Sequence, residues 1–548
     1  MTFLQLVRRE MHGSLPKLLF MSALGGISTA TILAAINAGM QGGSEGGKTN
    51  IWAAALFLVS LFLFIKTQFY VTITATAEIE AIIHKLRLRV MDKVRRSELL
   101  AMEKIGRARI VAAVTSDTAV LTQASNTLSF TVQGAVLIFF VGIYVAYLSI
   151  AAFTMTVLIV SAAAAIFHVK NRRLIAEKRE SAEWERRLYD RLTDFMDGFK
   201  EVRLNRGRSD DLFDDAVNVS RTAANIKIRS QAETFKLIVT SQVSMYVLLG
   251  AVVFAAPQFS DTLGGASLTK TTTALMFVVG ACFGLVQSIP VLLIANSAAD
   301  RIDQLESALH ETAASDEGRE LKIPKRFDTI DMRNIVFRYV DIRSDTTFQI
   351  GPIDFDLHHG ELVFITGGNG SGKSTFLRVF AGLYPPDSGE ITLDGMPIND
   401  ETRDSYRALM SAIFFDNHLF HKLYGIPQPQ PGEVERLLAQ FRLSDKTSLK
   451  DGEFSTLDLS GGQRRRLALI VSLLEKRPIL LLDEWTAEQD PEFRRKFYDE
   501  LLPQMKQAGL TVLVITHDDR YLDEFNLPAR RIRMEEGRIV EQRSMGNG

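Results

Sequence analysis

Over roughly the first 300 residues the apolar positions gather into long unbroken runs, and over the remainder they do not. Six runs reach the roughly 20 residues that a helix needs to cross a bilayer, at about 15–38, 51–75, 127–148, 150–169, 237–256 and 272–295. Only Ser149 separates the third from the fourth, which predicts a helical hairpin. After the second and the fourth run the pattern changes to helical spacing among charges: Leu86, Val90, Val94 and the pair Leu99 and Leu100, then Leu192, Phe195, Phe199 and Val202. These positions predict helices that carry the spans well beyond the membrane. Breaks at Gly106 and Gly198 predict short helices lying across their ends; two solvated amphipathic helices with incidental glycines are the plainer alternative.

The second half alternates differently. Residues 306–325 lose the apolar pattern and read as a linker. Residues 330–339 alternate as a strand does, and a second β segment over 348–357 leads into the apolar run 362–365. The runs at 479–482 and 511–515 are apolar at nearly every position, as in strands buried on both faces of a parallel sheet. The predicted architecture is an all-α membrane domain of six spans over 1–305, a linker over 306–325, and an α/β domain with a parallel sheet core over 326–548.

Charge assigns the sides. About nine basic residues lie in 78–125 and about fifteen in 170–235, whereas the loops at 40–50 and 257–271 hold only Lys48 and Lys270. The termini and the long loops are therefore expected in the cytoplasm, and the short loops with the Ser149 turn outside. No small-residue cleavage site follows the first run, so it is expected to stay as an uncleaved span. A formal net charge of -1 suggests no nucleic-acid partner. The single cysteine, Cys282, lies in an apolar run and reads as packing. Within or near the spans stand Lys66, Gln133, Gln242 and Gln287, and Pro290 interrupts the sixth. Lys66 either lines a cavity or snorkels to the membrane surface, and each glutamine either lines a cavity or bonds a neighbouring helix.

The chemistry sits in the second half. Gly367, Gly368, Asn369, Gly370, Ser371, Gly372, Lys373, Ser374 and Thr375 follow the 362–365 strand and precede a helical pattern. They fit G-x-x-x-x-G-K-[ST], in which backbone N–H groups curl around phosphates at a helix N-terminus. Lys373 would reach the β- and γ-phosphates of ATP, and the Ser374 hydroxyl would ligate Mg²⁺. The 479–482 strand ends in Asp483, placed for the Mg²⁺ shell, and Glu484, placed to polarise an attacking water. The 511–515 strand leads through Thr516 to His517, a candidate γ-phosphate contact. Ser460, Gly461, Gly462 and Gln463 open another helix, with Ser460 as N-cap and two glycines that let a backbone approach an anion. Two phosphate-binding turns of this kind suit a head-to-tail homodimer, in which each copy's Ser460 turn closes over the other's Lys373 loop.

These residues spell a family: the chain resembles the ATP-binding-cassette exporters over essentially its whole length. The resemblance implies a helical subdomain in the ATPase half, Tyr339 as the aromatic that stacks on adenine, Asp490 as a dimer-contact aspartate, His517 as a switch histidine, and coupling helices at Gly106 and Gly198. One position departs. Phe415 stands where the family has a glutamine that senses Mg²⁺ and γ-phosphate, so either Asp416 takes that role or coupling differs here. Trp485 also stands where a small residue is common. Together with the stretch from Asp483 to Pro491, the phosphate loop and the residues around His517, these features look like the bacterial cyclic-peptide exporters, which include exporters of pyoverdine-type siderophore precursors and of syringomycin-like lipopeptides. That implies ATP-driven export of a peptide across the bacterial inner membrane, the ATPase domain being cytoplasmic. A lipid or drug flippase shares every motif, and a membrane ATPase sensor without vectorial transport is the other alternative.

Overall fold

The structure is a computed structural model that describes residues 2–11, 15–44, 51–259, 265–311, 327–341, 346–525 and 527–545. The chain forms two compact units, Met1–Met91 with Ala108–Glu306, and Asp92–Arg107 with Ser307–Gly548.

The first unit is helical. A short amphipathic helix, Phe3–Glu10, is closed at its start by reciprocal Thr2 and Gln5 bonds and buries Phe3, Leu6 and Val7. Arg89 reaches its far end at Glu10 (3.0 Å) and also Glu306 (3.6 Å). The helix Ile51–Arg96 shows how such elements sort their faces. Ser60, Thr67, Val71, Ala75, Ile79, Ile82, Leu86 and Val90 recur every three, four or seven residues and are buried. Trp52, Leu58, Phe62 and Phe69 on its other faces are exposed. Large apolar side chains pointing outward on a helix whose backbone is satisfied internally are what a lipid surface accommodates. Among the described residues five helices carry stretches long and apolar enough to cross a membrane, and Ile150–Ile166 is a shorter one. The hairpin is present. Ser149 is extended between Thr118–Leu148 and Ile150–Asp197, and its hydroxyl accepts the Ala152 N–H at 3.3 Å.

Both breaks form short helices, Leu99–Ile105, which ends at Gly106 with φ 83°, and Phe199–Leu204, which Gly198 opens. Residues 306–311, expected in the linker, are instead the last turns of the helix Gly265–Glu311, on which Ile302, Leu305 and Leu309 keep a buried stripe. Residues 312–325 of that linker lie outside the described residues. Lys66 is exposed with its ammonium 5.6 Å from the Phe62 ring, and Gln242 donates to the Tyr246 hydroxyl at 3.1 Å.

The second unit is built on two sheets. One is antiparallel, in the order Thr346–His358, Thr329–Asp341, Ser388–Leu393, Met396–Pro397. The other runs Arg538–Met545, Ala529–Glu535, Leu362–Thr366, Thr511–Ile515, Ile479–Asp483, Met410–Ile413, parallel throughout except for its first pair. Each of the three central strands is buried at every position. Register aligns the strand ends: Ile515 is opposite both Ile365 and Asp483, and Ile413 is opposite Leu482. The segments after Thr366, Asp483, Ile515 and Ile413 therefore leave the sheet at one common edge, the carboxyl end where α/β sheets hold ligands.

Candidate functional site

The phosphate loop leaves its strand in a conformation open only to glycine. Gly367 has φ 147°, and a Cβ there would stand 2.2 Å from the Met534 carbonyl oxygen. Gly372, at φ 96°, opens the helix Lys373–Phe380 and would meet the Ile350 side chain at 2.8 Å. The loop is thus pinned at its two ends, Gly367 and Gly372, where neighbouring segments leave no room for a side chain. Lys373 lies over it, buried, donating to the carbonyls of Gly367 (3.0 Å) and Gly368 (2.9 Å). Burial lowers its pKa, against the pull of Glu484 and Asp483.

Ser374 donates its hydroxyl to Asp483 at 3.1 Å. Asp483 is buried, and its Oδ2 has no hydrogen-bond partner. Burial raises its pKa and the Glu484 charge adds to that, while the Ser374 bond, the Arg378 charge and the Phe415 backbone N–H oppose it. A buried carboxylate oxygen without a partner beside a serine hydroxyl fits a small hard cation. No group of three or more His, Cys, Asp and Glu side chains that could hold a metal occurs among the described residues. A cation here would therefore draw its remaining ligands from phosphate oxygens and water.

Glu484 is the strained residue of the site, at φ 50° in the left-handed region. Its N–H donates to the Ile515 carbonyl at 3.0 Å, and its own carbonyl accepts from the buried Arg465 guanidinium. Held this way, its carboxylate stands 3.0 Å from His517 Nε2. The two residues expected to act on the γ-phosphate are thus brought together from neighbouring strand ends.

Ser460 caps Gly461–Leu474 in a capping box with Gln463, the Gln463 side chain accepting the Ser460 N–H at 3.1 Å. Ser460 and Gly461 are exposed. The two glycines serve a close approach, but to this chain itself. A Cβ on Gly461 would meet the Glu488 carboxylate at 2.2 Å, and one on Gly462 the Glu488 carbonyl oxygen at 2.6 Å. The turn after Glu484 is clasped to the same helix: Trp485 Nε1 donates to the Arg465 carbonyl (2.8 Å), Arg466 to Gln489 (2.8 Å), and Gln489 to the Gly462 carbonyl (3.1 Å). Asp490 is exposed, caps Pro491–Lys496 through the Phe493 N–H (2.8 Å) and pairs with Arg466. Tyr339 is half-buried at the end of the Thr329–Asp341 strand. Asn369, Gly370 and Ser371 complete the loop, and the Ser371 hydroxyl is buried without a partner.

Phe415 is exposed, with the Arg465 guanidinium 5.0 Å from its ring. Asp416 faces Arg378 at 3.7 Å and is largely exposed. Arg378 and Arg465 were not among the expected site residues. Their only sequence signal is position, one a turn after the phosphate loop and the other a turn after Ser460, because Asp416 and Glu484, which they meet, lie on other segments.

Residues 350–487 match the family described as ABC transporter. The chain is 31% identical over 564 residues to the ATP-binding protein SyrD of Pseudomonas syringae pv. syringae, covering 97% of this chain and 96% of that one. It is 28% identical over 337 residues to an ATP-dependent lipid A-core flippase of Aliivibrio fischeri, covering 58% of this chain and 56% of that one. Among solved structures, a bacterial Atm1-family ABC exporter with ATP bound superposes with a TM-score of 0.78 over 98% of this chain and 95% of that chain, at 19% identity, and shares the fold. The chain belongs to the ABC transporters, in which ATP hydrolysis is coupled to transport.

Proposed function

We propose that this chain forms a homodimeric exporter in the bacterial inner membrane, its ATPase units in the cytoplasm, which moves a cyclic or non-ribosomal peptide, a siderophore precursor or a lipopeptide, out of the cell. The observation that carries the ATPase half is the meeting of Ser374, Asp483, Glu484 and His517 at one sheet edge. Lys373 and the loop N–H groups bind the phosphates, and Tyr339 is the adenine platform. Ser374 and Asp483 would hold Mg²⁺, which when bound neutralises phosphate charge. Glu484 takes the proton of the attacking water, and His517 holds the Glu484 carboxylate in place and contacts the γ-phosphate. The turn of Ser460, Gly461, Gly462 and Gln463, exposed at Ser460 and Gly461, and the exposed Asp490 would face a second copy's loop in a dimer with two shared sites. Closure of the dimer drives the spans from inward-facing to outward-facing, and the peptide must bind those two states with different affinity.

The peptide is supported by the likeness of the stretch from Asp483 to Pro491, with its buried Trp485, to the cyclic-peptide exporters, and by relatedness to the Pseudomonas protein over nearly the whole chain. The second reading, a lipid flippase, has the similarity to the lipid A-core flippase in its favour. ATP-dependent uptake into inside-out vesicles decides between them, with cyclic peptides, siderophore precursors, lipopeptides and labelled lipids as probes and Glu484→Gln as the control. Peptide uptake that is lost in the variant supports export. Lipid translocation alone overturns the peptide.

A further inference from the structure

The position that departs from the family pattern leads somewhere else. Phe415 lies two residues past the Met410–Ile413 strand, whose Ile413 stands opposite Leu482 next to Asp483, and the following residue, Asp416, faces the Arg378 guanidinium at 3.7 Å. Arg378 lies on the helix Lys373–Phe380 that begins at the phosphate loop, so its backbone moves with Lys373 and Ser374. Its guanidinium donates to the Tyr384 hydroxyl at 3.3 Å and lies 5.9 Å from the Phe414 ring. That hydroxyl in turn donates to both oxygens of Glu103, at 2.7 and 3.0 Å. Glu103 belongs to the short helix Leu99–Ile105, which is part of the same compact unit as the ATP site.

Tyr384 cannot swing out of this chain of contacts. It is 1% exposed, and its ring is stacked on Phe337 with centroids 5.1 Å apart and planes 18° apart. Burial and Glu103 push its phenol well above the ordinary range, so the proton stays on Tyr384 and the hydroxyl remains a donor. An oxygen that accepts from a cation while donating to a carboxylate is polarised from both sides, and each bond strengthens the other. Asp416 and the Tyr384–Glu103 pair are thus joined through one guanidinium, Asp416 at Nη2 and Tyr384 at Nη1. Glu98, at the start of the same short helix, pairs with Arg403 and Arg407, and Leu99 and Leu100 pack on the core under the sheet. Those contacts anchor the helix without reaching the metal-binding carboxylate.

We propose that Arg378, Tyr384 and Glu103 are positioning residues that, with Asp416, form a polar relay from the Asp483 end of the ATP site to the helix Leu99–Ile105, replacing the link that a glutamine at position 415 would make. The proposal rests on Asp483 and Ser374 being the cation site. A shift of Phe415 with Asp483 on nucleotide binding moves Asp416 against Arg378, and the change in Arg378 reaches Glu103 through Tyr384. Asp416 touches Arg378 and is remote in sequence from the helix it is argued to influence, which separates a relay from a dock.

The test is hydrogen exchange of residues 92–107, read by mass spectrometry on the full chain in lipid nanodiscs. The background is Glu484→Gln, so that ATP stays bound. Mg-ATP is expected to change exchange in the parent. Asp416→Ala and Tyr384→Phe should each reduce that change by about fivefold, the lower end of ordinary allosteric coupling, with the affinity for a fluorescent ATP analogue kept within about twofold. In the hydrolysis-competent chain Asp416→Ala should lower kcat and leave KM unchanged. An ATP-dependent change equal to the parent's in Asp416→Ala overturns the relay. So does a Tyr384→Phe chain whose exchange rises equally with and without ATP, since Glu103 then only docks. No change in the parent overturns both the relay and ATP-driven coupling. A relay that responds in a chain that moves no probe leaves the relay standing and removes the export reading.

Discussion

Glu484 concentrates the chemistry in one strained residue. Its left-handed backbone is fixed by a strand carbonyl and by Arg465, which leaves the carboxylate free for His517 and for water. Glu484→Gln should lower kcat by about 10²- to 10⁴-fold, the span of general-base effects, with ATP affinity retained; normal turnover in a phosphate-release assay refutes the assignment. Asp483 carries a cost instead. A buried carboxylate with an unpartnered oxygen and a raised pKa destabilises the folded chain in full above its raised folded-state value, and this cost fades as pH falls through that value and is gone below the unfolded one. In chelator, Asp483→Asn should therefore raise the melting temperature at pH 7, corresponding to about 1–3 kcal/mol, with the gain vanishing toward pH 4. The same variant should lose turnover. A melting temperature unchanged at pH 7 contradicts the burial account.

At the scale of elements, the signature turn and the turn after Glu484 behave as one piece. Gly462 has the Glu488 carbonyl oxygen where a Cβ would go, and backbone cannot swing aside as a side chain can. Gly462→Ala should cost about 1–3 kcal/mol and depress ATP turnover, as overpacking does, whereas Gly461→Ala meets only the movable Glu488 side chain and should cost less. Thermal melts of the two variants give the order. The sequence made the ATP site legible because its signals are local: a strand, glycines and a helix within a few residues, and carboxylates at the end of a fully apolar run. The strand predicted over 330–339 runs from Thr329 to Asp341 with irregular register near Asn334, at φ 51°, a detail that alternation alone does not carry. Trp485 was legible as odd, but its reason was not. Its indole is buried and bonded to a carbonyl on the preceding helix. Likewise Glu103 and Tyr384 are 281 residues apart, and no periodicity joins them.

At the scale of the whole molecule, the proposed homodimer with its pair of shared sites makes activity a property of two chains. When native and Glu484→Gln chains are mixed before reconstitution, ATPase activity should fall faster than the native fraction, since in a mixed pair the dead site also stops the live one. A linear decline would count against coupled sites. Five of the six predicted spans were legible from run length, the fourth proving shorter at Ile150–Ile166, while the extent of the last helix to Glu311 was hidden by polar residues around its buried stripe.

The unit that holds the ATP site includes Asp92–Arg107, a strip from the first half of the chain. During synthesis that strip leaves the ribosome before the residues it packs against exist. About 200 residues separate Arg107 from Ser307, which at bacterial or eukaryotic elongation speeds is a wait of roughly 10–40 s. Leu99, Leu100, Glu98 and Glu103 spend that interval without their eventual neighbours, and a fragment that starts at Ser307 never acquires them. Such a fragment lacks the Glu98 pairs with Arg403 and Arg407 and the Tyr384–Glu103 bond.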